Sequence, residues 1–262
     1  MGENERSAED AMDVFGQGKL NSRIDPDLLR GALEINEDEL EWRKDFINFD
    51  EDDAERLADL EALFRDHQDD IAEQFYENIR AYEETTEVVG RSPKGIEELQ
   101  ETQRAYLLSL ARGRYDREYF VDRARIGMLH YMLGMPMKQY IGQYGVYYEL
   151  LFSLIRERVE NEVVAAAEGW AKENDGGGFL GGLSGSSDTE LSAEFEAELR
   201  EAIDDGMDDL LSVFRIMNLD MQMATDAYNY ANKRRDVIDE NEDDDQDGLA
   251  DEVSDILASG ED

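Results

Sequence analysis

The sequence predicts an all-α protein, and three observations lead there. Every strong apolar pattern in the 262 residues recurs at three- and four-residue steps, the signature of one helical face. No alternating apolar/polar stretch survives to make a strand. Asp25-Pro26 and Ser92-Pro93 each read as an N-cap followed by proline at the first helical position, a pairing that opens helices.

The elements follow in order. Residues 1–24 are polar and Gly-containing and read as a loose arm. Asp25-Pro26 opens a short helix through Leu28, Leu29, Ala32 and Leu33, completing an N-terminal region of residues 1–36. Asn36 caps a second short helix with Leu40, Trp42, Arg43 and Phe46. Asp50 starts a longer pattern, Ala54, Leu57, Leu60 and Phe64, which resumes at Ile71, Phe75 and Ile79. One kinked helix or two successive ones therefore run from about 51 to 83. Thr85 to Arg91 reads as a short connection. Ser92-Pro93 then leads into Ile96, Leu99, Tyr106, Leu107 and Leu110 before Gly113. Asp116 caps a helix with Phe120, Ala124, Met128 and His130, ending near Gly134.

Pro136 begins a long helix through Tyr140, Tyr144, Tyr147, Leu151, Leu154 and Ile155, continuing polar and Ala-rich to about Lys172. Residues 173–188 form a Gly/Ser-rich insertion, expected to be flexible. Helical patterning returns at Leu191, strengthens through Leu210, Phe214 and Met217, and fades near Arg235. Residues 236–262 are an acidic tail. The main domain is thus 37–235, with about seven helices.

Composition narrows the function classes. Sixty-six acidic residues against 26 basic ones give a formal net charge of −40, and only six of the basic residues are lysine. Such self-repulsion is relieved when salt shortens the Debye length to about 3 Å at 1 M, so a salt-rich, halophilic cytoplasm is the expected setting. The 41% hydrophobic content, periodic over most of the length, argues against an acidic disordered chain. No basic stripe is present for nucleic acid, and no cysteine for a disulfide or thiolate metal site. The amino terminus has neither the basic start nor the apolar core of a secretory signal, and no apolar run approaches the roughly 20 residues of a membrane span. These features predict a soluble cytoplasmic protein.

One stretch stands apart from the acidic background. Residues 123–144, RARIGMLHYMLGMPMKQYIGQY, hold His130, one of two histidines, among apolar, small and aromatic neighbours. Ile126, Gly127, Leu133 and Gly134 lie at i−4, i−3, i+3 and i+4, on the face that His130 occupies. Two readings are open on these residues alone: a core histidine, or a single protein ligand beside a flat apolar group that the small residues admit. No carboxylate or nucleophile accompanies the imidazole in this window, so no catalytic residue is assigned.

Three further features point to nothing specific. His67, within RDHQDD, reads as solvated. Asp243, Asp245, Asp247 and Gly248 follow the opening of an EF-hand loop, but Ser254 stands where the bidentate Glu belongs. Gly176 to Gly178 and Gly181-Gly182 lack the Lys-Ser/Thr of a phosphate loop and read as linker.

Several segments in order carry a resemblance. RARIGMLHYMLGMPMKQYIGQYGVYYELL around His130, LEWRKDFINFD around Trp42 and Arg43, IAEQFYENIRAYEET, IEELQETQRAYLLSLARGRYDREY and LLSVFRIMNLDMQMATDAYNY resemble the globin-coupled sensor and protoglobin family. The similarity runs from about Leu40 to Glu160 and resumes near Asp208.

The resemblance implies a globin fold with an extra N-terminal helix, holding b-type haem. His130 would be the proximal iron ligand, and Ile126, Gly127, Leu133 and Gly134 its flanking haem-facing residues, the glycines giving clearance for the porphyrin. Tyr76 matches a distal tyrosine whose hydroxyl can meet bound oxygen. Thr102 matches a second distal hydroxyl of the aerotaxis sensors, and Tyr140 a tyrosine that orients or polarises the proximal imidazole. The function implied is reversible binding of O2 or another diatomic gas, NO or CO, as a sensor input for signalling or aerotaxis. The alternative is a haem enzyme acting on O2 or NO. In the family, the helices corresponding to 136–172 and 190–235 form a homodimer. The stripes Tyr144, Tyr147, Tyr148 and Phe152, and Phe214, Met217, Met221 and Met223, exceed one face and suit that role. The acidic tail shows no sustained heptads, so signalling through a separate protein, or a stand-alone gas-binding role, is expected.

Overall fold

The computed structural model describes residues 20–173 and 193–239. Among them there are one 3-10 turn, Asn21–Arg23, and nine α-helices, with no strand. The helices are α1 (Pro26–Ala32), α2 (Glu37–Ile47), α3 (Glu51–Asp59), α4 (Glu61–Arg80), α5 (Glu83–Arg91), α6 (Ile96–Leu110), α7 (Arg117–Met132), α8 (Met137–Glu173) and α9 (Ala193–Asp239). Residues 1–19 of the N-terminal arm, most of the 173–188 insertion with its glycines, and the tail from 240 with its Asp243 motif lie outside the described residues.

Local chemistry sets most of the boundaries. Asp25 accepts from the amides of Asp27 and Leu28, Asn36 from Glu39 and Asp116 from Tyr119, each meeting an amide that a helix start leaves unpaired. Asp50 and Asp53 exchange side-chain and backbone bonds, both at 3.1 Å, in a capping box that opens α3. The apolar pattern over 51–83 resolves into two helices jointed at Leu60, a fully buried residue.

Two boundaries differ from expectation. Thr85 to Arg91 is helix, within α5, instead of a connection. Its threonines lower intrinsic helix propensity, but the Thr85 hydroxyl donates to the Ile79 carbonyl and the Thr86 hydroxyl donates to that of Tyr82, at 2.9 Å. The first satisfies a carbonyl in the last turn of α4, and the second ties the first turn of α5 back to its N-cap residue. Ser92 ends α5 and does not cap α6; its Oγ accepts from the Lys94 amide at 3.1 Å. The cap of α6 is Gly95, whose amide donates to Glu98 Oε2 at 2.9 Å.

The described helices fall into two compact units, residues 20–147 with 212–239, and the described part of 148–211. In the first unit α4 packs along α6, and α1 lies against α7. Leu57, Leu60, Phe64, Leu107, Leu110 and Phe120 are wholly inside. Three polar clusters tie α9 to this core. Asp53 accepts from Ser212 Oγ at 2.6 Å and from Arg215 Nη1 at 2.9 Å. Arg43 pairs with Asp226 at 2.6 Å and Glu39 at 2.8 Å, while its neighbour Trp42 stacks on Phe46 in the open. The third cluster is a buried pair, Arg123 and Asp220.

The second unit consists of the later part of α8 and the first part of α9. Arg158 pairs with Asp209, Val159 lies against Gly206, and Trp170 stacks on Phe195 with ring centroids 5.2 Å apart. Rising numbers on one segment meet falling numbers on the other, so the two run antiparallel. No described helix is long and apolar enough to cross a membrane.

Candidate functional site

Six of the eight residues expected at a site line one cavity: Tyr76, Thr102, Ile126, His130, Leu133 and Tyr140. The cavity holds about 970 Å³ of atom-free space, its open mouth included. Four helices build it. Tyr76 comes from α4. On α6, Leu99, Thr102, Gln103 and Tyr106 follow the three- and four-residue steps of a single face. On α7 and its C-cap, Ile126, Leu129, His130 and Leu133 do the same, and α8 adds Tyr140, Gln143, Tyr144 and Tyr147. The buried Asn21 of the 3-10 turn also lines it, and the more exposed Ser92 to Lys94, from the turn between α5 and α6, form its rim.

His130 is held from its own helix. Its Nδ1 lies 2.8 Å from the carbonyl oxygen of Ile126, one turn earlier. A carbonyl only accepts, so Nδ1 carries the proton and Nε2 presents a lone pair. Burial pushes the imidazole pKa below its ordinary value, against the opposing pull of that hydrogen bond. A neutral imidazole with a fixed tautomer in a largely apolar cavity is the form that ligates iron, so the residues present fit haem ligation from one side. Among the described residues no group of three His, Asp or Glu could hold a metal ion by itself. His67 lies elsewhere, half-buried, with Nδ1 2.9 Å from its own helix's Leu63 carbonyl.

Tyr140 packs edge-on to His130, ring centroids 5.1 Å apart at 67°. Its hydroxyl is engaged with that of Tyr144 at 3.3 Å, so it supports the imidazole ring by packing, while the Ile126 carbonyl sets the tautomer. Tyr76 is 6% exposed, and burial pushes its phenol up to about 12, partly offset by a hydrogen bond with the Gln103 side chain. Gln103 also accepts from the Tyr147 hydroxyl. The Thr102 hydroxyl donates to the Glu98 carbonyl at 2.9 Å and accepts from Lys94 Nζ at 3.2 Å. Its proton is therefore committed to the helix backbone.

The two glycines are not at the cavity. An added Cβ on Gly127 would lie 2.6 Å from Ala224 Cα, so Gly127 is where α7 and α9 touch backbone to backbone. Gly134, at φ +66°, ends α7: its amide donates to Tyr131 and that of Met135 to His130, the paired bonds of a Schellman cap. Neither glycine is among the lining residues, and both serve helix geometry. Lys94, Gln103, Tyr106 and Leu129 were not anticipated. The face shared by Leu99, Thr102, Gln103 and Tyr106 was the available signal. Tyr144 and Tyr147, expected as surplus for a dimer, are buried in the cavity wall.

A family model described as Protoglobin matches residues 36–234. The haem-based aerotactic transducer HemAT of Halobacterium salinarum is 29% identical over 229 residues, 87% of this chain and 40% of the transducer. The chain thus spans about two fifths of that curated relative's length. Among solved structures, the globin domain of the Geobacter sulfurreducens globin-coupled sensor is 20% identical, with a TM-score of 0.46, covering 72% of this chain and 96% of that domain.

Proposed function

This chain belongs to the protoglobin family, and from that premise we propose that it is a haem-binding globin which reversibly binds oxygen or another diatomic gas as the input of a sensor. The observation that carries the reading is the neutral, tautomer-fixed His130 in a largely apolar cavity, with the Tyr76 phenol in the same wall. Haem b, when bound, would supply an iron centre able to take O2, NO or CO reversibly. The rest is work for the protein. His130 offers Nε2 while Ile126 holds the Nδ1 proton. Tyr76, kept protonated by burial, holds an O–H at the cavity that can meet a polar ligand. The Leu and Ile side chains of α6 and α7 exclude water.

The sensor role is supported by the relative's description as an aerotactic transducer. The apolar side chains of Phe152, Val164, Ile203, Met207 and Leu211, exposed on α8 and α9, support self-association through these helices. The acidic composition supports a halophilic, cytoplasmic setting. No arrangement among the described side chains favours the enzymatic alternative.

The test is the absorption spectrum of the haem-reconstituted protein in molar salt, reduced, with and without oxygen. A Soret band that shifts reversibly with oxygen is expected, lost in His130→Ala and kept in His67→Ala. Absence of any Soret band, or dependence on His67 instead, would overturn the reading.

A further inference from the structure

Among the described residues that line the cavity, Lys94 is the single lysine or arginine and none is a carboxylate. In a chain with 66 acidic residues, a half-buried ammonium would be expected to find an acid. Here its Nζ rests instead on a neutral acceptor, Thr102 Oγ1, at 3.2 Å. The position is fixed by the backbone, because the Lys94 amide is tied to Ser92 Oγ at 3.1 Å and Pro93 restricts the turn. Thr102 has its own proton bound to the Glu98 carbonyl, so it acts only as an acceptor for the ammonium. A charged donor held against a neutral hydroxyl at the rim of a mostly apolar cavity is placed to take an anionic group from a ligand whose body is apolar.

We infer that Lys94 is the carboxylate-recognising residue of this cavity, exchanging its bond to Thr102 for an ion pair with a carboxylate carried by a flat, apolar macrocycle. Identifying that macrocycle as a porphyrin rests on the haem reading above; the carboxylate requirement rests on Lys94 and its surroundings. The ion pair gains from the partly desolvated rim and from the absence of competing acids among the described lining residues. Thr102 accordingly serves as the resting acceptor for Lys94, a role distinct from that of a donor to bound gas.

The experiment measures binding of metal-free protoporphyrin IX and of its dimethyl ester to the full chain, by quenching of intrinsic fluorescence in molar salt. Wild type is expected to prefer the free acid on the order of tenfold, the scale of one hydrogen bond to a charged group. Lys94→Met should lose that preference while binding the ester as wild type does, and Lys94→Arg should keep most of it. Far-UV circular dichroism identifies any variant that fails to fold, in which case Lys94→Gln takes its place. Equal binding of acid and ester by wild type overturns the inference, as does an undiminished preference in Lys94→Met. A Lys94-dependent preference without a His130-dependent Soret band for the iron form would sustain the inference and overturn the haem reading alone. Binding of neither porphyrin by wild type would overturn both.

Discussion

Arg123 Nε lies 3.1 Å from Asp220 Oδ2, and neither side chain is more than 2% exposed. Around the pair, the hydroxyls of Tyr106 and Tyr119 donate to the Asp220 oxygens at 3.0 and 2.9 Å, and Arg123 Nη2 donates to Ser109 Oγ at 2.5 Å. The guanidinium also sits 4.1 Å from the centre of the Tyr119 ring. Three helices, α6, α7 and α9, meet in this cluster. Tyr106 belongs to the cavity wall as well, so the ion pair fixes part of the site's shape.

The first prediction follows from that burial. Removing one partner leaves a charge in a medium that solvates it poorly, so Asp220→Leu or Arg123→Met alone should cost about 3–5 kcal/mol. The double variant should cost clearly less, because no orphaned charge remains. Denaturant unfolding in molar salt measures all three. A double variant as unstable as the sum of the singles would show that the ions do not act as a pair.

The second prediction concerns pH. Burial depresses the folded-state pKa of His130 below the roughly 6.5 of the unfolded chain. On acidification through 6.5 the unfolded chain takes up a proton that the folded one refuses. The stability contributed by the neutral histidine is therefore complete above 6.5 and is lost as pH falls toward the folded value, at no more than about 1.4 kcal/mol per pH unit. Between pH 7.5 and 5.5, haem-free wild type should lose more stability than His130→Leu. Identical losses would mean that the imidazole is not held neutral.

The third prediction contrasts glycines. Gly127→Ala places a methyl 2.6 Å from the Ala224 backbone, where neither helix can yield cheaply, and should destabilise by about 1–3 kcal/mol. Gly142 and Gly145 lie within α8 with nothing inside 4 Å of an added Cβ. Alanine there should stabilise by about 0.5–1 kcal/mol through helix propensity alone. Thermal midpoints measured side by side would decide it. A neutral Gly127→Ala would contradict the backbone contact.

Gly127 also marks where sequence reasoning reached its limit. Local signals were legible: the caps Asp25, Asn36, Asp50 and Asp116 act within three residues of themselves, and the apolar steps name each helix's inner face. Six expected site residues line the cavity: Tyr76, Thr102, His130 and Tyr140 were named from the resemblance, Ile126 and Leu133 from their helical spacing to His130. A small residue one turn from His130, however, reads equally as room for a ligand or as contact with another helix. Only the distant Ala224 decides between them. Lys94 escaped notice because its partner is a neutral hydroxyl with its own bond to the helix backbone. Asp220 escaped because one acid among 66 carries no mark of burial.

The last prediction turns on Tyr76. Its phenol, raised to about 12 by burial, keeps its proton through the physiological range. The Gln103 side chain bonds to it in the sense that lowers the phenol pKa, which is the sign of a bond donated to the phenol oxygen. The amide nitrogen is thus the end that reaches Tyr76, while Gln103 Oε1 accepts from Tyr147, which leaves the Tyr76 O–H as a donor toward the cavity. Tyr76→Phe should therefore speed oxygen release from the haem-loaded protein on the order of tenfold. Gln103→Leu should have a smaller effect in the same direction, by letting the phenol turn away. Wild-type release should be flat between pH 7 and 10, because the donor titrates only above that window. Stopped-flow measurement in molar salt tests all three. Release that accelerates already near pH 8, or is unchanged in Tyr76→Phe, would place the donor elsewhere.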